Sequence, residues 1–178
     1  MTSATTLNLA SIVTQNAKLT PDNEAVVCGP VRMTYRELDQ ASNQVANALV
    51  KLGFGRGDNI ALMCPNLPYF PIIYFGIIKT GAAVVPLCVL FKASEIAYHL
   101  KDSEAKAIFV FQGTEELPML ERAKEAFDLV DSCKHLIAMP NPQAEPPSDN
   151  AITMFNTLVG SESPAFEKRP TSPDDTCA

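Results

Sequence analysis

The chain has 178 residues, of which 47% are hydrophobic and 19% are charged, a mixture typical of a folded domain. This composition excludes a disordered tail, and the length suits a single domain. The 14 basic and 20 acidic residues give a net charge of −6, which argues against nucleic acid or an anionic membrane as partner.

The cysteine pattern indicates a reducing environment. The five cysteines are an odd number, and none belongs to a CxxC motif, so neither a disulfide framework nor a zinc site is supported. We therefore expect buried thiols and a cytoplasmic protein. Residues 1–10 carry no basic region followed by an apolar run, so no secretory signal is expected. The apolar stretch Leu67–Phe91 is interrupted by three prolines, which favours an interior helix, a turn and a strand over a transmembrane segment.

The first part of the chain is predicted to form a helix, a hairpin and a longer helix. A modest helix is predicted over Leu9–Ala17, and two apolar pieces around Gly29-Pro30 predict a hairpin. Thr34 followed three residues later by Glu37 is the pattern of a capping box. The helix behind it is expected to end at Gly53. Apolar residues at three- and four-residue intervals mark its buried face: Leu38, Ala41, Val45, Ala48, Leu49 and Leu52.

From residue 60 onward, strands and helices alternate. The predicted strands are short continuous apolar runs: Ile60–Cys64, Ala82–Pro86, Ala107–Phe111 and His135–Met139. The predicted helices are Tyr69–Lys79, Ser94–Ser103 and Glu115–Phe127. This alternation predicts an α/β fold over residues 1–139, with a mostly parallel sheet and flanking helices.

Residues 140–178 have a different character. Seven of the 14 prolines fall between positions 140 and 173, and only Ile152–Val159 offers a short helix. This part is predicted to be a proline-rich connection.

Local patterns that suggest chemistry have simpler structural interpretations. The glycines of Gly53–Gly57 follow a helix and precede a strand, the reverse of a phosphate-binding loop. His99 and Ser103 are spaced to share a hydrogen bond on one helix, but no carboxylate completes a catalytic set. The charges around Glu115 are typical of a solvated helix face, and the pair Asp174-Asp175 is more typical of a polar tail than of a metal site.

Two motifs resemble those of the adenylate-forming enzymes, the superfamily of acyl-CoA synthetases, luciferases and peptide-synthetase adenylation domains. Met33–Leu38 resembles the first core motif of that superfamily. Phe75–Leu87 resembles the second, a lysine–x–glycine leading into a strand that ends in proline. The likeness spans about Ala10 to Ala178. The residues that match these motifs are expected to cap, turn or end elements rather than react: Thr34, Tyr35, Glu37, Leu38, Lys79, Gly81 and Pro86.

The resemblance implies the N-terminal portion of an acyl-CoA synthetase, with a long-chain fatty-acid–CoA ligase favoured. The parent enzyme would use ATP, Mg²⁺ and coenzyme A to convert a fatty acid into an acyl adenylate and then a thioester. Pro173–Ala178 resembles the lead-in to the phosphate loop of the family, and that loop is expected beyond this sequence. We therefore assign no catalytic, cofactor-binding or metal-binding residue, and expect the chain alone to be inactive and to pair with the remainder of its own chain.

Two alternatives stay open. In the first, the chain is a portion of another adenylating enzyme, such as an aryl-CoA ligase or a peptide-synthetase domain. In the second, the chain is a non-catalytic α/β interaction module. Such a module would use the surface around Tyr69–Lys79 to pair with a partner or with itself, so homo-oligomerisation is also open. A flavodoxin-like cofactor binder is disfavoured because no phosphate loop follows any predicted strand.

Overall fold

The computed structural model describes residues 8–172 and 175–178, and within them the chain forms six helices and seven strands. The helices are α1 (Ser11–Leu19), α2 (Tyr35–Lys51), α3 (Tyr69–Lys79), α4 (Ala93–Asp102), α5 (Met119–Asp128) and α6 (Phe155–Val159). The strands are β1 (Glu24–Cys28), β2 (Val31–Thr34), β3 (Asn59–Met63), β4 (Ala83–Pro86), β5 (Ala107–Phe111), β6 (His135–Met139) and β7 (Ile152–Met154). None of the helices in the described ranges is long and apolar enough to cross a lipid bilayer.

The described residues divide into two compact units. The first contains α1, the β1–β2 hairpin, α2, α3 and the residues from 161 onward. The second is built on residues 58–65 and 84–160.

The first unit is organised by α2, whose start the capping box defines. The Glu37 amide donates to the Thr34 hydroxyl oxygen at 3.3 Å, and the Thr34 amide donates to the Glu37 carboxylate at 2.7 Å, as predicted. Helix α2 packs against α3 at Gly76, where an added Cβ atom would lie 2.5 Å from the Cβ of Val45. Glycine therefore allows the two helix backbones to approach closely. The antiparallel β1–β2 hairpin also confirms the sequence prediction.

The second unit is a layered α/β structure. Its sheet has the strand order β4-β3-β5-β6-β7, and the pairs β3–β5, β5–β6 and β6–β7 are parallel. Alternate residues of β5 point to opposite faces. Ile108 and Val110 are buried in the core cluster that includes residues of α4 and α5, whereas the ring of Phe109 meets that of Phe155 in α6, with centroids 6.4 Å apart. The predicted α/β fold with a mostly parallel sheet and flanking helices is confirmed.

Two elements differ from the prediction in type or by more than two residues, and several others are shifted by one or two residues. Helix α5 begins at Met119 and not at Glu115, because Pro118 has a non-helical ψ of 74° and the residues before it form a turn. In that turn the Leu117 amide donates to the Thr114 carbonyl oxygen at 3.2 Å. The helix predicted over Ile152–Val159 is strand β7 followed by α6, because the edge of β6 offers backbone groups for parallel pairing. The boundary after residue 139 stays a prediction.

Candidate functional site

The most unusual side chain of the first unit is Lys79, which is 1% exposed although it carries an ammonium group. It lies in the last turn of α3 and reaches across to α2. Its Nζ atom donates to Oδ1 of Asp39 at 2.8 Å, to Oγ of Ser42 at 2.7 Å and to Oδ1 of Asn43 at 2.7 Å. A second contact joins Nζ to the carbonyl oxygen of Asp39 at 3.1 Å.

The electrostatics of this cluster, which we call the Lys79 cluster (Lys79, Asp39, Ser42, Asn43), are those of a buried ion pair with polar support. Burial lowers the pKa of Lys79, and the hydrogen bond and charge of Asp39 oppose that shift. The side chain of Asp39 is 18% exposed. Such a pair adds little net stability compared with apolar packing, but removing one partner is costly because the other charge stays buried.

The cluster is connected to an irregular segment, residues 161–172, which we call the strap. Three side-chain amides of α2 donate to backbone carbonyl oxygens of the strap. Asn43 donates to Pro164 at 2.8 Å, Gln44 to Glu162 at 3.1 Å, and Asn47 to Ser163 at 2.8 Å and to Ala165 at 3.0 Å. Lys51 lies on the same side of the helix and pairs with the Glu162 carboxylate at 2.8 Å.

The far end of the strap is also fixed. The backbone amide of Arg169 donates to the carbonyl oxygen of Lys79 at 3.0 Å, and Asn8 donates to the carbonyl oxygens of Ile78 and Arg169 at 2.7 and 3.1 Å. Beyond the strap, the carboxylate of Asp175 accepts from Arg56 at 2.6 Å and from the Ser172 amide at 2.7 Å. The hydrogen bond from the Ser172 amide, followed by the hydrogen bond and charge of Arg56, holds the pKa of Asp175 below its ordinary value.

A cavity of about 550 Å³ lies beside this end of the chain. Its lining is mainly apolar and includes Leu9, Ile78 and Ala82. The charged group among its described lining residues is Asp175, an anion. The described lining also includes the amide of Asn8 and the hydroxyl groups of Thr171, Ser172 and Thr176, but no lysine or arginine, so it lacks the cations that bind the phosphates of ATP.

The residues of the two core motifs take mainly structural positions. Leu38 is 3% exposed, and Tyr35 begins α2 behind the Thr34–Glu37 cap. Gly81 turns the chain after α3 with a φ of 86°, and Pro86 ends β4. Lys79 does not serve as a cap, because its side chain is directed into the interface between α2 and α3.

The other sequence candidates are not brought together as a catalytic set. The Ser103 hydroxyl donates to the backbone carbonyl oxygen of His99 at 2.6 Å, and the His99 ring stacks on Phe91 at 4.8 Å between centroids. Gly53–Gly57 lies between the end of α2 and the start of β3, as the turn interpretation predicts. Lys124 pairs with Asp128 at 2.6 Å on the charged face of α5.

The metal interpretation of Asp174-Asp175 falls partly outside the described residues, since Pro173 and Asp174 are not among them. Within residues 8–172 and 175–178, no three His, Cys, Asp or Glu side chains lie close enough together to bind a metal ion. The assignment of no catalytic, cofactor-binding or metal-binding residue stays a prediction.

Sequence reasoning missed the strap contacts, although a signal was present. Asn43, Asn47 and Lys51 recur every four residues along α2 and so share one side of the helix. Amide side chains in that pattern are usually solvated, and only the tertiary structure places a carbonyl-rich segment against them.

The fold and the motif positions are those of a family of adenylating enzymes. Residues 13–178 match the AMP-binding enzyme family, and the chain therefore belongs to that family. Its relatives include ligases that join carboxylic acids to coenzyme A and synthases that make peptides.

Three similarities illustrate this range. The chain is 32% identical over 123 residues to the long-chain-fatty-acid–CoA ligase FadD13 of Mycobacterium tuberculosis, covering 68% of this chain and 24% of the ligase. It is 33% identical over 111 residues to a dimodular nonribosomal peptide synthase of Bacillus subtilis, covering 62% of this chain and 4% of the synthase. The crystal structure of the anthranilate CoA ligase AuaEII in complex with anthranoyl-AMP matches with a TM-score of 0.83 and 26% identity, covering 96% of this chain and 31% of that one.

The chain is much shorter than these relatives. It spans about a quarter of FadD13 and just under a third of the anthranilate CoA ligase chain.

Proposed function

We propose that this chain is the N-terminal portion of a fatty-acid–CoA ligase and acts as the scaffold of its adenylating domain. The observation that carries the proposal is the match of 96% of the chain to an acid–CoA ligase at a TM-score of 0.83. The 32% identity to FadD13 supports a fatty acid as the substrate.

The chemistry of the reaction explains why we propose a scaffold and not a complete active site. A carboxylate is a poor electrophile and must be activated. In the parent enzyme, the carboxylate would attack the α-phosphorus of ATP and release pyrophosphate, which gives an acyl adenylate. The thiol of coenzyme A would then attack the acyl group and displace AMP. This phosphoryl chemistry requires Mg²⁺ and cationic or N–H groups around the phosphates. Lys79 is already bound by Asp39, Ser42 and Asn43, and the cavity beside Asp175 presents an anion.

The proposed partners follow from this role. They are the remainder of the ligase chain, a fatty acid, ATP with Mg²⁺, and coenzyme A, in the cytoplasm. A second candidate, a portion of a peptide synthetase that activates an amino acid, is favoured by the 33% identity to the dimodular peptide synthase.

The test is ATP–pyrophosphate exchange, measured with the 178-residue chain and with the whole reading frame of its gene. Each protein is supplied with Mg²⁺ and, in turn, fatty acids, anthranilate and the amino acids. We expect exchange with fatty acids by the whole reading frame, AMP release on adding coenzyme A, and no exchange by the 178-residue chain.

Three results would overturn the proposal. Exchange with amino acids alone would support the peptide-synthetase candidate. Exchange by the 178-residue chain would show that it contains the active site. A reading frame that stops at Ala178 would support the non-catalytic module.

A further inference from the structure

We propose that Lys79 is a positioning residue: acting through the side-chain amide of Asn43, it fixes the strap against α2. The inference deepens the proposed function, because the strap leads to the residues that resemble the approach to the phosphate loop. The order of the strap itself is nevertheless a property of this chain and can be measured without any substrate.

Asn43, a residue that is 7% exposed, holds its side-chain amide in one orientation. Its Oδ1 atom accepts from Lys79 at 2.7 Å, and its Nδ2 atom donates to Oδ2 of Asp39 at 3.2 Å and to the Pro164 carbonyl oxygen at 2.8 Å. A cation on the oxygen side requires the amide to present its N–H groups on the other side. The buried charge of Lys79 thus selects the orientation that binds the strap.

Other side chains of α2 also hold the strap. Residues 161–165 run over α2 without belonging to a helix or a strand, so side-chain donors replace the backbone partners that a regular element would supply. Asn43 is the buried residue among the three donors; its hydrogen bond to Pro164 is partly buried, as is that of Gln44 to Glu162, whereas those of Asn47 are exposed. Hydrogen bonds shielded from water are the more costly to lose.

Lys79 also fixes the strap at a second point, through its backbone. Its carbonyl oxygen accepts from the Arg169 amide at 3.0 Å. Asn43 of α2 binds Pro164, and the backbone of Lys79 in α3 binds Arg169. Because the ammonium group of Lys79 fixes α3 against α2, it also sets the distance between these two strap residues.

The experiment measures the rate at which trypsin cleaves after Lys168 in the strap, relative to cleavage after Arg36 in α2, which belongs to the same unit. The ratio separates local release of the strap from general unfolding. The main variant is the charge-free pair Asp39→Asn with Lys79→Met, which leaves no unpaired buried charge. Asn43→Ala removes the proposed link, and the exposed Lys18→Met in α1 is the control.

We expect the charge-free pair and Asn43→Ala each to raise the cleavage ratio by about tenfold, and Lys18→Met to leave it unchanged. The combination of the pair with Asn43→Ala should show no further increase, because both changes act on one link. Asn43→Leu has a similar volume and lacks the donor to Pro164 without adding a charge beside Asp39, so it gives the same expected result if Asn43→Ala does not fold.

An unchanged ratio in the charge-free pair would overturn the proposal, as would effects that add in the combination. Failure of the fatty-acid assignment would leave this result untouched, because the cleavage assay contains neither ATP nor an acid.

Discussion

The Nζ atom of Lys79 and the Oδ1 atom of Asp39 lie 2.8 Å apart and connect the last turn of α3 to the second turn of α2. Lys79 also donates to Ser42 and Asn43 of α2, and the two helices approach closely at Gly76. A single cation, Lys79, makes all of these polar contacts. The resemblance to the family identified this lysine only as a motif residue.

Replacing that cation should destabilise the first unit. Lys79→Met leaves the Asp39 carboxylate without its ammonium partner, so we expect the free energy of unfolding to fall by about 3 kcal/mol. Urea unfolding followed by circular dichroism measures this loss. The exposed Lys101→Met in α4 is the control and should unfold at the wild-type urea concentration. A loss no larger than that of the control would show that the ion pair contributes nothing.

The close approach of α2 and α3 should not tolerate a side chain at Gly76. The Cβ atom of Gly76→Ala would lie 2.5 Å from the Cβ of Val45 and 3.1 Å from the carbonyl oxygen of Ser42. Neither atom can move aside by rotating a side chain, because one is a Cβ atom and the other is a backbone oxygen. The two helices must therefore move apart. We expect a loss of about 1–3 kcal/mol in unfolding free energy, although alanine is the better helix former. Equal or greater stability of Gly76→Ala would contradict the observed helix spacing.

The capping box predicts a specific sensitivity to acid. The hydrogen bond from the Thr34 amide lowers the pKa of Glu37 from its ordinary 4.5. The folded chain therefore binds fewer protons than the unfolded chain just below pH 4.5, and the stability from this group is lost as the pH falls through the folded pKa.

Glu37→Gln retains an oxygen for the Thr34 amide but does not titrate. We expect its melting temperature to fall less than that of the wild type between pH ~5 and pH ~3. If the melting temperatures of the two proteins fell equally across that pH range, a contribution from the titration of Glu37 in the cap would be excluded.

Cysteine reactivity should follow burial. Burial raises the pKa of the Cys133 thiol to about 11, so this residue is almost entirely protonated at neutral pH. Cys88 and Cys177 are exposed, so the expectation that the thiols are buried is wrong for these two. With iodoacetamide at pH ~8, we expect mass spectrometry to find rapid alkylation of the exposed pair and protection of Cys133 until the chain is unfolded. Alkylation of all three at equal rates would contradict the core around β6.

The elements with strong local signals were predictable from the sequence. Strands β5 and β6 are continuous apolar runs, and α3 begins beside prolines and ends before a glycine, so their predicted bounds agree with the structure. The capping box was equally visible, because both of its partners lie within four residues. Where a boundary was wrong, at Glu115, a proline three residues later prevents the helix from starting early.

The site depended on contacts that local patterns do not encode. Lys79 and Asp39 are separated by 40 positions, and only the packing of α2 on α3 places them together. Strand β7 has three residues, too few to show a period, and it exists because β6 offers an edge. The strap is likewise specified by its partner, since its amide donors lie more than 100 positions away in α2.

The central claim, that this chain provides a scaffold without a nucleotide site of its own, is tested most directly by calorimetric titration of the 178-residue protein with ATP and Mg²⁺. We predict no saturable heat up to millimolar nucleotide. Saturable binding of one ATP per chain with a micromolar dissociation constant would contradict it.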